Sequence, residues 1–266
     1  SFKEKFRTIS SLDPLSFKGK IPYRKRVFRD QRRTGLSEAA IVGQCKIDGL
    51  KTILVLLDFG FMGGSIGCVV GEKVALAFEY ATKKRLPVVA IITSGGGRIQ
   101  EGVLALMQMA KTTSAVNLHR NSGLPYVTVL ANPTTGQAYT SFANLADIIL
   151  AETGALVGLQ PLRLLQEIAE TPLPTSAHTA ESHLARGMVD ATLDRDALRS
   201  TLMNILPLIS PQRNQIRFLK SRRSKQKLHK KVEPWEAIER VRRPDRPSGS
   251  EYVSRMFSNF VEIRGD

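Results

Sequence analysis

The chain has 266 residues, 42% hydrophobic and 24% charged, with a formal net charge of +15. That size and balance suit one large or two small globular domains and exclude a wholly disordered chain. No apolar run approaches the roughly 18–20 residues of a membrane span, the opening SFKEKFRTIS lacks a signal peptide's apolar core, and Cys45 and Cys68 are too few for a disulfide framework or a four-ligand zinc site. Two isolated thiols fit a reducing, cytoplasmic compartment.

In chain order, residues 1–33 form a basic flank of net charge +8. Its Arg24, Lys25, Arg26, Arg29, Arg32 and Arg33, beside Tyr23, either meet phosphate groups of a ligand or make a solvated helix face. TILVLLD (52–58) is a short apolar run rich in β-branched residues, the mark of a buried strand. After FGFMGGSIG, Val70, Val74, Ala77, Phe78 and Ala81 recur at helical spacing, closing on Lys83, Lys84 and Arg85. PVVAIIT (87–93) reads as a second strand running into SGGGR. A second helix then has Ile99, Val103, Leu106, Met107 and Ala110 on one face. PYVTVLA (125–131) is a third strand, leading to NPTTG and the helix-compatible QAYTSFANLA. DIILAE (147–152) is a fourth, leading to TGALVG, and residues 197–210 read as a closing helix.

Strands alternating with helices predict an α/β fold with mostly parallel strands, and ligands then bind at the strands' carboxyl ends, where the glycine clusters fall. From the closing helix onward, residues 197–232 carry +10 and no acid, densest in RFLKSRRSKQKLHKK (217–231), which reads as an exposed helix or linker. The middle, 34–196, is nearly neutral at −2. No zinc-ligand set and no aromatic-rich RNA-binding pattern accompanies the basic stretches, so nucleic acid is not an expected partner.

Ser94-Gly95-Gly96-Gly97-Arg98 is the sharpest of the glycine loops. Its unshielded backbone N–H groups open a helix, where they can cradle a phosphate or hold an oxyanion developing on a carbonyl. A Rossmann fingerprint is out of register here, since Gly60, Gly63, Gly64 and Gly67 do not follow G-x-G-x-x-G, and no P-loop string occurs. A serine-hydrolase reading would recruit Ser94 or Ser141 with His119 or His178, but both histidines read as surface residues. Glu101 reads as an acid in a helix's first turn. With no acid–base pair of side chains in view, chemistry would rest on backbone N–H groups, and a base would come from cofactor or substrate.

The longer strings carry a resemblance. DFGFMGGSIGCVVGEKV, LPVVAIITSGGGRIQEGVLALMQMAKT, GLPYVTVLANPTTGQAYTSFANLADIILAETGALVG and RGMVDATLDRDALR, with the lead-in DPLSFKGKIPYRKRVFRDQRRTGLSEAAIVG, resemble the beta subunit of the acetyl-CoA carboxylase carboxyltransferase over roughly residues 10–210. EPWEAIERVRRPDRPSGSEYVSRMFSNFVEIRGD (233–266) resembles the start of the alpha subunit. The resemblance implies a crotonase-like ββα superhelix at 34–210, after the flank 1–33, with a basic linker at 211–232 and an alpha-like segment at 233–266. It also implies transfer of a carboxyl group from carboxybiotin, on the biotin carboxyl carrier protein, to acetyl-CoA, giving malonyl-CoA. An alpha-type subunit would complete the site in a hetero-oligomer, and the deprotonated biotin would act as base. Gly95 and Gly96 match the oxyanion-hole position, and Gly63, Gly64, Gly97, Gly136 and Gly158 fall near the substrate pocket. Arg98 and the N-terminal basic residues become expected partners for CoA phosphates.

The chain also departs from the family. There is no cysteine set for the N-terminal zinc ribbon, so no metal is expected. SGGAR is SGGGR here, PTTGG is PTTGQ, and GFAGPR is GLQPLR (158–163). The last change keeps open an alternative: a catalytically diverged crotonase-fold acyl-CoA-binding or scaffold subunit.

Overall fold

The computed structural model describes residues 2–160, 162–169, 171–174, 176–210, 233–258 and 260–263. The chain divides into two compact units, Ser1–Ser210 with Ile263–Asp266, and Pro211–Glu262.

The first unit is built on a mixed sheet. Its strands are β1 (Lys3–Lys5), β2 (Ala40–Ile47), β3 (Leu50–Leu57), β4 (Val88–Ser94), β5 (Tyr126–Thr135), β6 (Ile148–Glu152), β7 (Val157–Gly158) and β8 (Ala191–Leu193). The order is β1-β2-β3-β4-β5-β6-β8, with β7 paired to the far end of β5. From β3 onward every pairing is parallel, as the strand–helix alternation predicts, but β1, β2 and β3 pair antiparallel. The departure from a mostly parallel sheet lies in the β2–β3 hairpin. Its two turn residues, Asp48 and Gly49, both have positive φ (47° and 78°), the mirror-image turn whose twist matches that of the flanking strands.

Helix α1 (Tyr23–Thr34) precedes the hairpin, and α2 (Cys68–Lys84) and α3 (Gly102–Asn121) are the crossovers from β3 to β4 and from β4 to β5. The remaining helices of this unit are α4 (Leu162–Ile168), α5 (Ala180–Leu184) and α6 (Leu198–Ile209). Helix α2 buries Val70, Val74, Ala77, Phe78 and Ala81, the face the sequence pattern predicts. Phe78 stands edge-on to Tyr126 at 4.8 Å and to His119 at 5.5 Å between centroids. With Val55, Val88, Ala90 and Ile92 at no more than 1% exposure, the central strands supply much of the core, at about 1.5–3 kcal/mol for each fully buried large aliphatic side chain.

Helix α3 reverses the expected pattern. It buries Ala105, Gln108, Thr112, Ala115, Val116 and His119, while Val103, Leu106 and Met107 are 61–64% exposed and Ile99, just before it, is 79% exposed. Small and polar residues turn inward because α2 lies close: a Cβ on Gly71 would come inside 3.0 Å of the Gln108 side chain. QAYTSFANLA, read as helix-compatible, forms turns with a single 3-10 turn at Phe142–Asn144, and β5 runs on through Thr135.

The second unit holds α7 (Pro234–Val241) and α8 (Gly249–Met256), the latter started by a Ser248–Glu251 capping box. Neither helix has a buried residue. The expected basic linker at 211–232 lies outside the described residues. Among the described residues no helix is long and apolar enough to cross a membrane.

Candidate functional site

The site is assembled where β3, β4 and β5 end. Three glycine turns meet there. Gly63 accepts at its carbonyl from the Gly95 N–H (2.9 Å), and the Gly64 carbonyl accepts from Ser94 Oγ (2.7 Å). Gly136 donates to the Gly158 carbonyl (3.0 Å), which ties the PTTG turn to β7, and a Cβ on Gly136 would lie 3.1 Å from the Gly96 Cα. Gly64 has φ +61°, and a Cβ there would come inside 3.0 Å of the Thr93 carbonyl oxygen, so only glycine lets this turn lie against the end of β4. The structure therefore brings Gly63, Gly64, Gly95, Gly96, Gly97, Gly136 and Gly158 into one continuous patch.

The loop's donors are divided differently from the expectation. The Gly95 N–H is taken by Gly63, and the buried Gly96 N–H points to Ser94 Oγ at 3.1 Å. Among the described residues the Gly97 N–H has no partner, and Gly97 is exposed. The Gly97 N–H, one residue beyond the expected pair, is thus the open donor among these three glycines. Ser94 cannot serve as a free nucleophile either, because its hydroxyl is spent bracing this turn.

Behind the loop, a buried polar cluster fixes its position. Arg98, 1% exposed, forms a two-pronged ion pair with Glu38 and also donates to the Tyr23 hydroxyl (3.0 Å), Ser65 Oγ (3.1 Å) and the Ser65 carbonyl (2.9 Å). Tyr23, from α1, donates to Glu101 at 2.5 Å, and Glu101 also accepts from the Cys68 N–H at the start of α2 (2.5 Å). Burial alone would raise the Glu101 carboxyl, but the bonds from Cys68 and Tyr23 and the charge of Arg98 hold it below the usual carboxylate range. Burial would lower the Arg98 guanidinium, yet Glu38 and Tyr23 more than offset it and raise it. The expectation that Arg98 meets a CoA phosphate gives way, since its guanidinium faces inward and its donors have internal partners. Glu101 is likewise a fully buried cross-link between α1, α2 and the loop.

The histidines also differ from their reading. His119 is buried, with Nδ1 2.9 Å from Thr82 Oγ1 and Nε2 3.4 Å from the Pro125 carbonyl. His178 is partly buried at φ 61°, packed against Gly158. Ser141 Oγ donates to the Gln137 carbonyl (2.7 Å), so neither serine is bonded to a histidine and the hydrolase reading falls. Among the described residues no cluster of three or more metal-ligating side chains is present. The N-terminal basic residues of α1 include Arg33, which donates to the Gly60 carbonyl, and Arg29 and Arg33, which pair with Asp30. Of GLQPLR, Pro161 and the side chains of Leu162 and Arg163 lie outside the described residues.

Beside the open Gly97 N–H lies a cavity of about 630 Å³, walled by Val103, Leu106, Met109, Gln137 and Leu159. Its polar lining comprises backbone, the Gln137 amide, the Thr140 hydroxyl, which donates to the Gly136 carbonyl, and Arg98, whose guanidinium is fully buried and paired inward. The cavity is wide enough for a small organic ligand, and its wall presents no free acid or base. Such a place can hold developing negative charge on an oxygen but must receive its base from a bound substrate.

The carboxyl transferase domain family matches residues 7–246. The acetyl-coenzyme A carboxylase carboxyl transferase subunits beta/alpha of Salinispora tropica are 37% identical over 263 residues, 96% of this chain and 46% of that protein. The corresponding beta subunit of a Synechococcus species is 44% identical over 208 residues, 78% of this chain and 71% of the relative. The chain thus spans about half the length of the beta/alpha relatives it matches. A solved structure of transcarboxylase 12S, with hydrolysed methylmalonyl-coenzyme A bound, superposes with a TM-score of 0.66 at 24% identity, covering 77% of this chain and 38% of that one.

Proposed function

The chain belongs to the carboxyl transferase domain family and has its crotonase-like fold, and on that premise we propose that it is the beta-type half of an acetyl-CoA carboxylase carboxyltransferase. Its substrates are then acetyl-CoA and carboxybiotin carried on the biotin carboxyl carrier protein. In the transfer, the bond from the biotin ureido nitrogen to the carboxyl carbon breaks, and a bond from the acetyl methyl carbon to that carboxyl forms. The methyl proton passes to the biotin nitrogen, which supplies the base that the cavity wall lacks.

The observation that carries this reading is the open Gly97 N–H beside a largely apolar cavity whose wall offers no free acid or base, the Arg98 guanidinium being turned inward onto Glu38 and Tyr23. In this role Gly97 donates to the thioester oxygen as it gains negative charge. Low local polarity makes one such fixed donor worth about 10²–10³ in rate. The loop needs no reorganisation, because Gly95, Gly96 and the Arg98 cluster hold it in place.

An alpha-type partner is supported by the inverted face of α3. Val103 and Leu106, with Ile99 beside them, form an exposed apolar surface at the cavity, and Met107 is exposed on the same helix; this is the kind of patch that marks a protein contact. The second reading, a diverged acyl-CoA-binding or scaffold subunit, is favoured only by the GLQPLR departure.

The test combines the chain with an alpha-type subunit and a carboxylated biotin carrier, and follows labelled carboxyl into acyl-CoA. Transfer to acetyl-CoA by the mixture, and by neither subunit alone, is expected. Normal acetyl-CoA binding with no transfer would select the scaffold reading, and absence of both would reject the two together.

A further inference from the structure

The Gln137 side chain has a role that the glycine loop does not account for. It is 7% exposed and lines the cavity. Its Nε2 donates to the Ala105 carbonyl in the first turn of α3, and that carbonyl can only accept, so the amide orientation is settled. Oε1 is therefore turned the other way, toward Gly97, and it has no hydrogen-bond partner. A buried acceptor left unpaired is costly, so a donor on the bound ligand that reaches Oε1 past Gly97 gains a hydrogen bond that water does not supply. Gln108 also has an unpartnered Oε1, but that atom is set between α2 and α3 against Gly71 and does not line the cavity.

The same atom explains the glycine at 97. A Cβ there would come inside 3.0 Å of Gln137 Oε1, so the Gln137 amide would have to shift from the position in which it donates to Ala105. The two departures from the family strings, SGGGR and PTTGQ, thus fall on two residues that touch, and they form a single coupled change.

We propose that Gln137 is an acyl-CoA-binding residue whose amide oxygen accepts a hydrogen bond from an amide N–H of the pantetheine arm, and that Gly97 must lack a side chain for it to do so. This rests on the acyl-CoA reading of the cavity. An acetyl group and its thioester have no donor. The first amide N–H of the arm lies two methylenes beyond the sulfur, next to a thioester held at Gly97. The apolar wall of Val103, Leu106, Met109 and Leu159 suits those methylenes.

The experiment measures binding of acetyl-CoA to the chain in complex with its alpha-type partner. A second ligand is the analogue in which the arm's first amide is an ester, so that oxygen replaces N–H. In the wild type the ester analogue binds about three- to tenfold more weakly than acetyl-CoA. Gln137→Leu binds acetyl-CoA more weakly by a similar factor and no longer distinguishes the two ligands. Gly97→Ala weakens acetyl-CoA binding with Gln137 present and has little further effect in the Gln137→Gly background. Thermal unfolding of the wild type, Gly97→Ala, Gln137→Gly and the double variant reads the steric half without any ligand: Gly97→Ala lowers the midpoint only when Gln137 is present. Equal discrimination by wild type and Gln137→Leu would overturn the hydrogen bond, and equal Gly97→Ala effects in both backgrounds would overturn the coupling. A wild type that binds neither ligand would instead remove the acyl-CoA reading, and the binding half of this inference with it.

Discussion

Replacing Arg98 by methionine separates a structural arginine from a phosphate-binding one. The guanidinium is 1% exposed and its counter-ion Glu38 is fully buried, so Arg98→Met leaves a carboxylate sealed in the protein without its partner. Breaking a buried pair from one side costs about 3–5 kcal/mol. The lost bonds to Tyr23 and to the Ser65 carbonyl fall within the same loss, because they belong to one network. For a unit of this size a kcal/mol moves the melting midpoint by about 2–4 °C, so the drop is about 6–20 °C. Neutralising both ends with Glu38→Gln and Arg98→Met together recovers only part of the loss, since the Glu38 charge is gone while the buried Glu101 still lacks its ion pair with Arg98. Denaturant unfolding of the wild type, both single variants and the double variant closes the cycle. The reasoning is refuted if Arg98→Met unfolds within about 0.5 kcal/mol of the wild type and instead weakens CoA binding in a salt-dependent way.

Further outcomes follow from the same structure. Burial holds His119 and His183 below the ordinary histidine pKa of 6.5. Below that pH the unfolded chain takes up protons that the folded chain refuses, so stability present above pH 6.5 is lost as pH falls toward the folded values. Urea midpoints at pH 7.5 and 5.5 report this, and His119→Gln shrinks the difference; an equal or larger difference in the variant contradicts it. Met107→Glu, on the exposed face of α3, leaves stability within about 0.5 kcal/mol but weakens binding of the alpha-type subunit at least tenfold. Unchanged affinity in a titration would remove α3 from the interface. Gly64→Ala forces a side chain into a φ of +61° and against the Thr93 carbonyl, straining the bonds at Gly63 and Gly64, for about 3 kcal/mol in denaturant unfolding. A loss under about 1 kcal/mol would show that the turn has room to move.

Much of the frame was legible because local signals and tertiary placement agree. The apolar runs at 52–58, 87–93, 125–131 and 147–152 each fall on an observed strand, and the α2 face Val70-Val74-Ala77-Phe78-Ala81 packs inward as its spacing predicts. The antiparallel hairpin was also present in the sequence, as Asp48-Gly49 between β-branched stretches, but the strand–helix alternation drew the reading toward parallel pairing. Helix α3 misled because hydrophobicity shows which face avoids water, not whether its own chain covers that face. Here close approach to α2 demands small residues inward, and the apolar face stays open. The glycine patch was legible as a set, whereas the division of its donors was not. Whether the Gly95, Gly96 or Gly97 N–H is free depends on where the Gly63 carbonyl and Ser94 Oγ fall, and both follow from the meeting of separate loops. The Glu38–Arg98–Tyr23–Glu101 cluster joins residues up to 78 positions apart, and nothing local to Glu38 or Glu101 distinguishes them from surface acids.

The central claim is that a backbone N–H, not a side chain, stabilises the reacting oxygen. Incorporating glycolic acid at position 97 replaces that N–H by an oxygen while adding no side chain. In the carboxyl-transfer assay with the alpha-type subunit and carboxylated carrier, kcat should fall about 10²–10³-fold while the melting midpoint stays near that of the wild type. An unchanged kcat would show that Gly97 does not hold the developing charge and would contradict the account.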